Sequence, residues 1–272
     1  MSLNTYAHPF DIATSLKQQE IGVYHGHTSD DYANMVGPFG GVIASTLLRA
    51  IIEHPDCLGS PVSFTVNYAA PVKDGSFIIK ANPTRTNRST QHWYVELCQH
   101  HEIVITATAV TAKKRDTWSS IELSMPKVPD AERVDSLSLT EVPPWVNHYD
   151  IKIVKGAPRA YTKSNHADSV TLQWMKDKPN RPLDYLSLAS MCDAFFPRIY
   201  VRREKVVPIG TVSLTVYFHS DTEALEKHNN HHVLGHTRAQ NFNNDFYDQT
   251  GEIWSADGSL LATTTQLVYY KE

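Results

Sequence analysis

One order of elements occurs twice along this chain, and that duplication limits its fold more than any single motif does. In the first half, Ile21 to His27 (IGVYHGH) alternates weakly like a strand, and GPFGGVIASTLLRAIIEHP opens with glycines into an apolar helical run closing near Pro55. SFTVNY, SFIIKANPTRT, HWYVELCQ and EIVITATAVTA follow as β-rich segments separated by Gly or polar breaks. In the second half YDIKIVKG and VTLQWMKD precede another apolar helical run, Pro182 to Arg198. TVSLTVYF, HHVLGHTRAQ, YDQTGEIWSA and LLATTTQLVYY come after it. The residues repeat with the order: SFTVNY at 63–68 answers SLTVYF at 213–218, and ITATAV at 105–110 answers LATTTQ at 261–266. Two copies of one α+β unit are therefore expected. Between them, Lys113 to Trp145 is polar, carries four prolines and shows no periodicity, as a connection would. This gives a first unit over residues 1–120, a linker over 121–145 and a second unit over 146–272.

The second helical run, PLDYLSLASMCDAFFPR, is apolar on nearly every side of a helix and so predicts a buried one. Asp193 sits inside it. A carboxylate taken from water without partners is costly, so it either finds donors or shifts its pKa. No acid stands in the matching first helix, IASTLLRAI, and alignment of the last strands sets Val110 opposite Gln266. The two copies thus differ in polar content.

Bulk properties remove several function classes. A net charge of -4 with both signs interspersed offers no basic field for nucleic acid or an anionic membrane. No apolar run is long enough to span a bilayer and MSLNTYAHPF lacks a signal-peptide layout, so a cytoplasmic protein is expected. Cys57, Cys98 and Cys192 are widely spaced, which argues against a disulfide framework or zinc ribbon. His228, His231, His232 and His236 lack accompanying cysteines or a closed ligand set, so no metal is expected. No Gly-x-Ser-x-Gly elbow, phosphate-binding loop, dinucleotide fingerprint or His-Glu-x-x-His occurs.

Buried helices wrapped by antiparallel sheet and duplicated in one chain resemble the acyl-CoA thioesterase II type (TesB-like) family, whose fold is the double hotdog: two tandem units, each a sheet around a long central helix. The similarity runs through Phe39-Gly40-Gly41, SFTVNYAAPVKDG and Arg85 to Ser89 in the first half. In the second, Asp193, Thr211 in GTVSLTVYFH and Gln266 in LATTTQ fall where the family carries its Asp, Thr and Gln catalytic set. The resemblance implies hydrolysis of acyl-CoA to free acid and coenzyme A in lipid metabolism, without a cofactor. It also implies Gly40 and Gly41 near the thioester and Arg85 and Arg88 as candidates for the phosphates of coenzyme A. Val42 departs from the Gln that many members carry after the glycine pair, and the polar stretch HSDTEALEKHNN before His231 is expected to reshape the mouth of the site.

The residue types suit that chemistry. Thioester hydrolysis needs a held water, a group to deprotonate it and donors for the oxyanion. Asp193 can take the proton, Thr211 both donates and accepts, and Gln266 offers an acceptor and two donors. Taken singly, each has a duller reading: Asp193 as a helix-end carboxylate bonded to backbone or paired with Arg198, Thr211 as part of the solvated face with Ser213, Thr215 and Tyr217, and Gln266 as the end of a half-exposed threonine run. Cys192 beside Asp193 fits an inert packed thiol. Two other functions stay open: a hydratase or dehydratase on the same fold, and a non-catalytic acyl-CoA binder. An open sheet edge makes a homodimer or higher homo-oligomer the expected assembly.

Overall fold

The computed structural model describes residues 7–162 and 166–272. The first half holds α1 (Pro9–Ala13), β1 (Lys17–Glu20), β2 (Val23–His27), α2 (Gly40–Ile52), β3 (Ser60–Tyr68), β4 (Ser76–Thr86), β5 (Thr90–Gln99) and β6 (Glu102–Ala112). The second holds β7 (Tyr149–Lys155), β8 (Thr171–Asp177), α3 (Tyr185–Met191), α4 (Arg198–Arg202), β9 (Ile209–Phe218), α5 (Thr222–His228), β10 (Val233–Arg238), β11 (Phe242–Asn243), β12 (Phe246–Trp254) and β13 (Leu260–Tyr270). All the strands join one antiparallel sheet in the order β1-β2-β4-β5-β6-β3-β9-β13-β12-β10-β8-β7, with β11 beside β12.

The centre of that path is the seam between the copies. Thr65 pairs with Thr215, flanked by Phe64 with Val216 and Val66 with Leu214, and the two hydroxyls lie 3.0 Å apart. SFTVNY and SLTVYF therefore meet each other antiparallel about their equivalent threonines, as a two-fold axis requires. Outward from the seam every strand on that path has its counterpart, β6 with β13 and β5 with β12 nearest the centre.

The final strands correspond one residue away from the hexamer alignment. Phe64 pairs with Ala109 and Leu214 with Gln266, so Ala109 rather than Val110 occupies the Gln266 position. A slip of one residue exchanges the faces of a strand, and burial agrees: Ala109 and Gln266 are buried, whereas Val110 is half-buried.

The two main helices pack against each other under the sheet. Ser45 Oγ donates to the Leu186 carbonyl at 2.7 Å, and the Ser190 carbonyl lies against Gly41, where an added Cβ would stand 2.7 Å from it. These contacts exchange equivalent residues, Ser45 for Ser190 and Gly41 for Leu186, and the same correspondence superposes Leu48 on Asp193. The helices are unequal. The expected helix from Pro182 to Arg198 is divided: α3 ends at Met191, and Asp193 and Ala194 donate to the Ser190 and Met191 carbonyls in tight turns. Pro197 then forms the N-cap of α4. An apolar run reads as buried whether or not it stays helical, and Pro197 cannot continue a helix from the residue before it.

Two segments tie the copies together. Residues 121–145, expected as a linker, pack Ala131 in a cluster with Trp174, Leu234 and Trp254, and Trp174 Nε1 donates to the Pro129 carbonyl at 2.9 Å. At its end Trp145 stacks on Phe39, ring centres 4.3 Å apart. Near the N-terminus, Asp11 of α1 pairs with Arg181 at 2.9 Å. One apolar core contains residues of both halves. Among the described residues no helix is long and apolar enough to cross a membrane.

Candidate active site

The first turn of α2 begins at Gly40 after Phe39, which supplies no capping side chain, so its leading N–H groups are left without intrahelical partners. Asp193, just past the Cys192 C-cap of α3, comes up against this turn. A Cβ on Gly40 would stand 2.8 Å from Asp193 Oδ2, so only glycine admits the carboxylate so close. Gln266 Nε2 donates to Asp193 Oδ1 at 2.9 Å and to the Cys192 carbonyl at 3.3 Å. The Gly41 backbone N–H also bonds the carboxyl, yet burial outweighs both donors and lifts its pKa to about 7. Arg198 is not its partner. The Tyr68 hydroxyl donates to the Gly40 carbonyl at 2.8 Å.

Thr211 reaches the same face through a bulge. Along β9, Leu267 pairs with Ser213 but Val268 pairs with Thr211, leaving Val212 as the extra residue. The insertion reverses strand parity, so Thr211 shares the inward face of Val268 and Gln266 instead of the outward face of Ser213 and Thr215. Its hydroxyl has no partner among the described residues.

Asp193, Thr211, Gln266, Gly40 and Tyr68 line one cavity of about 510 Å³. Its other walls are chiefly apolar and aromatic, including Ile43, Val72, Trp145, Phe195, Phe196 and Tyr247. Such a space takes a long apolar group beside a few convergent polar atoms. A carboxyl poised near neutrality can exchange a proton there.

Other sequence candidates lie elsewhere. Arg85 and Arg88 sit on the exposed β4–β5 hairpin. Arg85 Nε donates to Asn87 at 3.1 Å. That hairpin is at the Ser60 end of β3, because Thr90 and Ser60 both pair with Ala112, whereas Tyr68 marks the cavity end. Gly41 contributes its N–H from behind Gly40. Val42 is a buried core residue. The stretch after Phe218 folds as α5 and contributes nothing to the cavity, whose exposed rim comes from Met35, Val36, Phe246 and Tyr269 instead. Cys192 is wholly buried, and burial pushes its thiol far up. His232 and His236 pair with Asp150 and Glu252 at 2.9 and 2.6 Å, and His228 bonds the His231 carbonyl.

The matching place in the first half is filled. Leu48, Pro61 and Ala109 stand where Asp193, Thr211 and Gln266 do, and β3 carries its own bulge at Val62. The Gly40 position is taken by Tyr185, whose ring packs on Phe218 at 5.5 Å where Tyr68 would meet Gly40. Tyr68 escapes a reading by residue type because its hydroxyl acts on backbone.

Comparison with known proteins agrees with this layout. The family model for the acyl-CoA thioesterase N-terminal domain matches residues 29–112, and that for the acyl-CoA thioesterase C-terminal domain matches residues 122–270. No curated protein matches the chain. A hotdog-fold protein of unknown function from Alicyclobacillus acidocaldarius is 46% identical over 98% of this chain and 99% of its own, with a TM-score of 0.94. An acyl-CoA thioesterase II from Mycobacterium marinum is 17% identical, covers 96% of this chain and 98% of its own, and has a TM-score of 0.76. A tesB protein from Mycobacterium avium is 14% identical over 96% and 98%, with a TM-score of 0.79. With hotdog architecture, both family domains in order and a carboxyl-bearing cavity between them, the chain belongs to the acyl-CoA thioesterase family and is a thioester hydrolase.

Proposed function

We propose that the chain hydrolyses acyl-CoA to a free acid and coenzyme A by direct attack of water, with the acyl group lying in the aromatic cavity. The observation that carries this reading is the Asp193 carboxyl held between Gln266 and the first turn of α2, with a pKa near neutrality. Asp193 accepts a proton as the water oxygen bonds to the thioester carbonyl carbon. Thr211 and Gln266 orient that water. The unpaired N–H of Gly40 meets the oxyanion, where preorganised donors act in a low dielectric. Collapse of the tetrahedral intermediate breaks the carbon–sulfur bond, and the departing thiolate recovers the proton from Asp193. No metal, cofactor or covalent intermediate enters this sequence.

In this reading the chain is a double hotdog of two tandem units, one of whose central helices is short, and a single chain supplies every group named. This reading gives Arg85 and Arg88, on the hairpin at the other end of β3 from the cavity, no part in the chemistry. A homodimer would join through the sheet edges and leave the chemistry unchanged. Thiol release from acyl-CoAs of graded chain length, measured for the native chain and Asp193→Asn, tests the proposal. Loss of about 100-fold or more in kcat for the variant is expected, the usual worth of a positioned base. A variant as fast as the native chain would sink it.

A further inference from the structure

Arg198 is a buried cation with an unusual set of partners. It is 0% exposed, and no carboxylate among the described residues pairs with it. Its guanidinium donates to the Ser169 carbonyl at 2.9 Å, the Thr171 hydroxyl at 2.7 Å, the Phe196 carbonyl and Gln249 Oε1 at 3.0 Å. A charge buried among neutral acceptors is costly, so what it holds in place matters.

What it holds is the direction of one amide. Arginine only donates, so Gln249 must turn its oxygen toward Arg198 and its two N–H groups the other way. Gln249 is itself 3% exposed and lines the cavity, and its Nε2 has no partner among the described residues. It lies directly across from Gln266 on the neighbouring strand, where Cβ atoms of paired residues stand roughly 5 Å apart. It therefore sits beside the Asp193 carboxyl but one strand farther from Gly40. In the proposed reading of the site, that position keeps it out of the oxyanion donors at the helix start and sets it against the first carbons of the acyl chain.

We propose that Gln249 is a specificity-determining donor that reads an oxygen substituent, hydroxyl or keto, on the first few carbons of the acyl group, with Arg198 as its positioning residue. This rests on the cavity being the acyl-CoA site. A plain alkyl chain covers the amide and leaves its N–H groups dry and unpaired, whereas an oxygen substituent pairs with them. The neighbouring guanidinium charge polarises the amide and strengthens it as a donor.

The test compares kcat/KM for 3-hydroxyacyl-CoA, 3-oxoacyl-CoA and unsubstituted acyl-CoA matched at several chain lengths. The native chain is expected to favour at least one oxygenated series by about 10-fold or more, the cost of leaving a buried donor unpaired. Gln249→Leu removes the amide. Gln249→Glu keeps an acceptor for Arg198 and removes the donors, so it controls for folding around the buried cation. Both should collapse the ratio toward one. Native ratios at or below one, ratios unmoved in both variants, or an equal loss on all three series would overturn the assignment. If the native chain hydrolyses none of these thioesters, the acyl-CoA reading of the site itself fails, and this inference with it.

Discussion

The Gly40 carbonyl and the Gly41 N–H belong to one peptide unit, and it is gripped from both ends. Tyr68 donates to its oxygen while its N–H bonds Asp193. Hydrogen bonds in series polarise one another, so Tyr68 supports the ionised form of Asp193 without touching it. The other titratable groups that feel Asp193, namely Tyr149, Tyr247 and Cys192, are all kept protonated by burial. Tyr68→Phe keeps the ring and deletes the hydroxyl. Its kcat/KM profile should bend at higher pH than the native one, with the thermal midpoint little changed, and an unmoved bend would disprove the link. Asp193 was legible in residue types, as an acid in an apolar run that the repeat lacks, whereas Gln266 and Thr211 were named through the family resemblance. Sequence reasoning could not reach Tyr68, whose partner is backbone.

Among the elements, β9 shows why strand parity alone misleads. Counted straight along the strand, Thr211 falls with Ser213, Thr215 and Tyr217 on the outer face, and only the extra residue at Val212 brings it inward. Nothing in residue type announces a bulge between Thr211 and Ser213. The shift makes a paired prediction: Thr211→Val should lower kcat/KM by about 100-fold, the usual cost of one lost transition-state hydrogen bond, whereas Thr215→Val, two pairs from the bulge and facing out, should stay within about two-fold. Equal effects would mean that Thr211 faces outward. The helices were legible in place but not in length, since α3 stops at Met191 and hands its apolar residues to a buried irregular stretch. The linker hid more. Its prolines mark absent periodicity correctly, while Trp145 at its end and Val146 just past it are wall residues that only the folded chain brings to the cavity.

For the molecule as a whole, duplication explains the symmetry of the sheet about its central seam. The repeat about Thr65 and Thr215 was readable as matching hexamers, because seam strands keep the same residues on the same face. The second pair of hexamers slipped by one, since β-rich strands resemble each other in either register and only pairing fixes the face. The contrast between the copies holds with Ala109 in place of Val110: one copy has an acid, a threonine and a glutamine where the other has Leu48, Pro61 and Ala109, with Tyr185 at the Gly40 position. The assembled cavity takes its helix start from one copy and its carboxyl from the other, so neither half alone contains it.

Asp193 as the base of that one site is the central claim, and the pH dependence of kcat/KM addresses it. A base must be ionised to accept a proton, and burial has raised this carboxyl to about 7, so activity should climb about ten-fold per pH unit below that value and level above it. The same profile for Asp193→Asn should lose the bend along with the rate. A native profile already flat through neutrality, bending only in the ordinary carboxylate range near 4, would contradict the assignment.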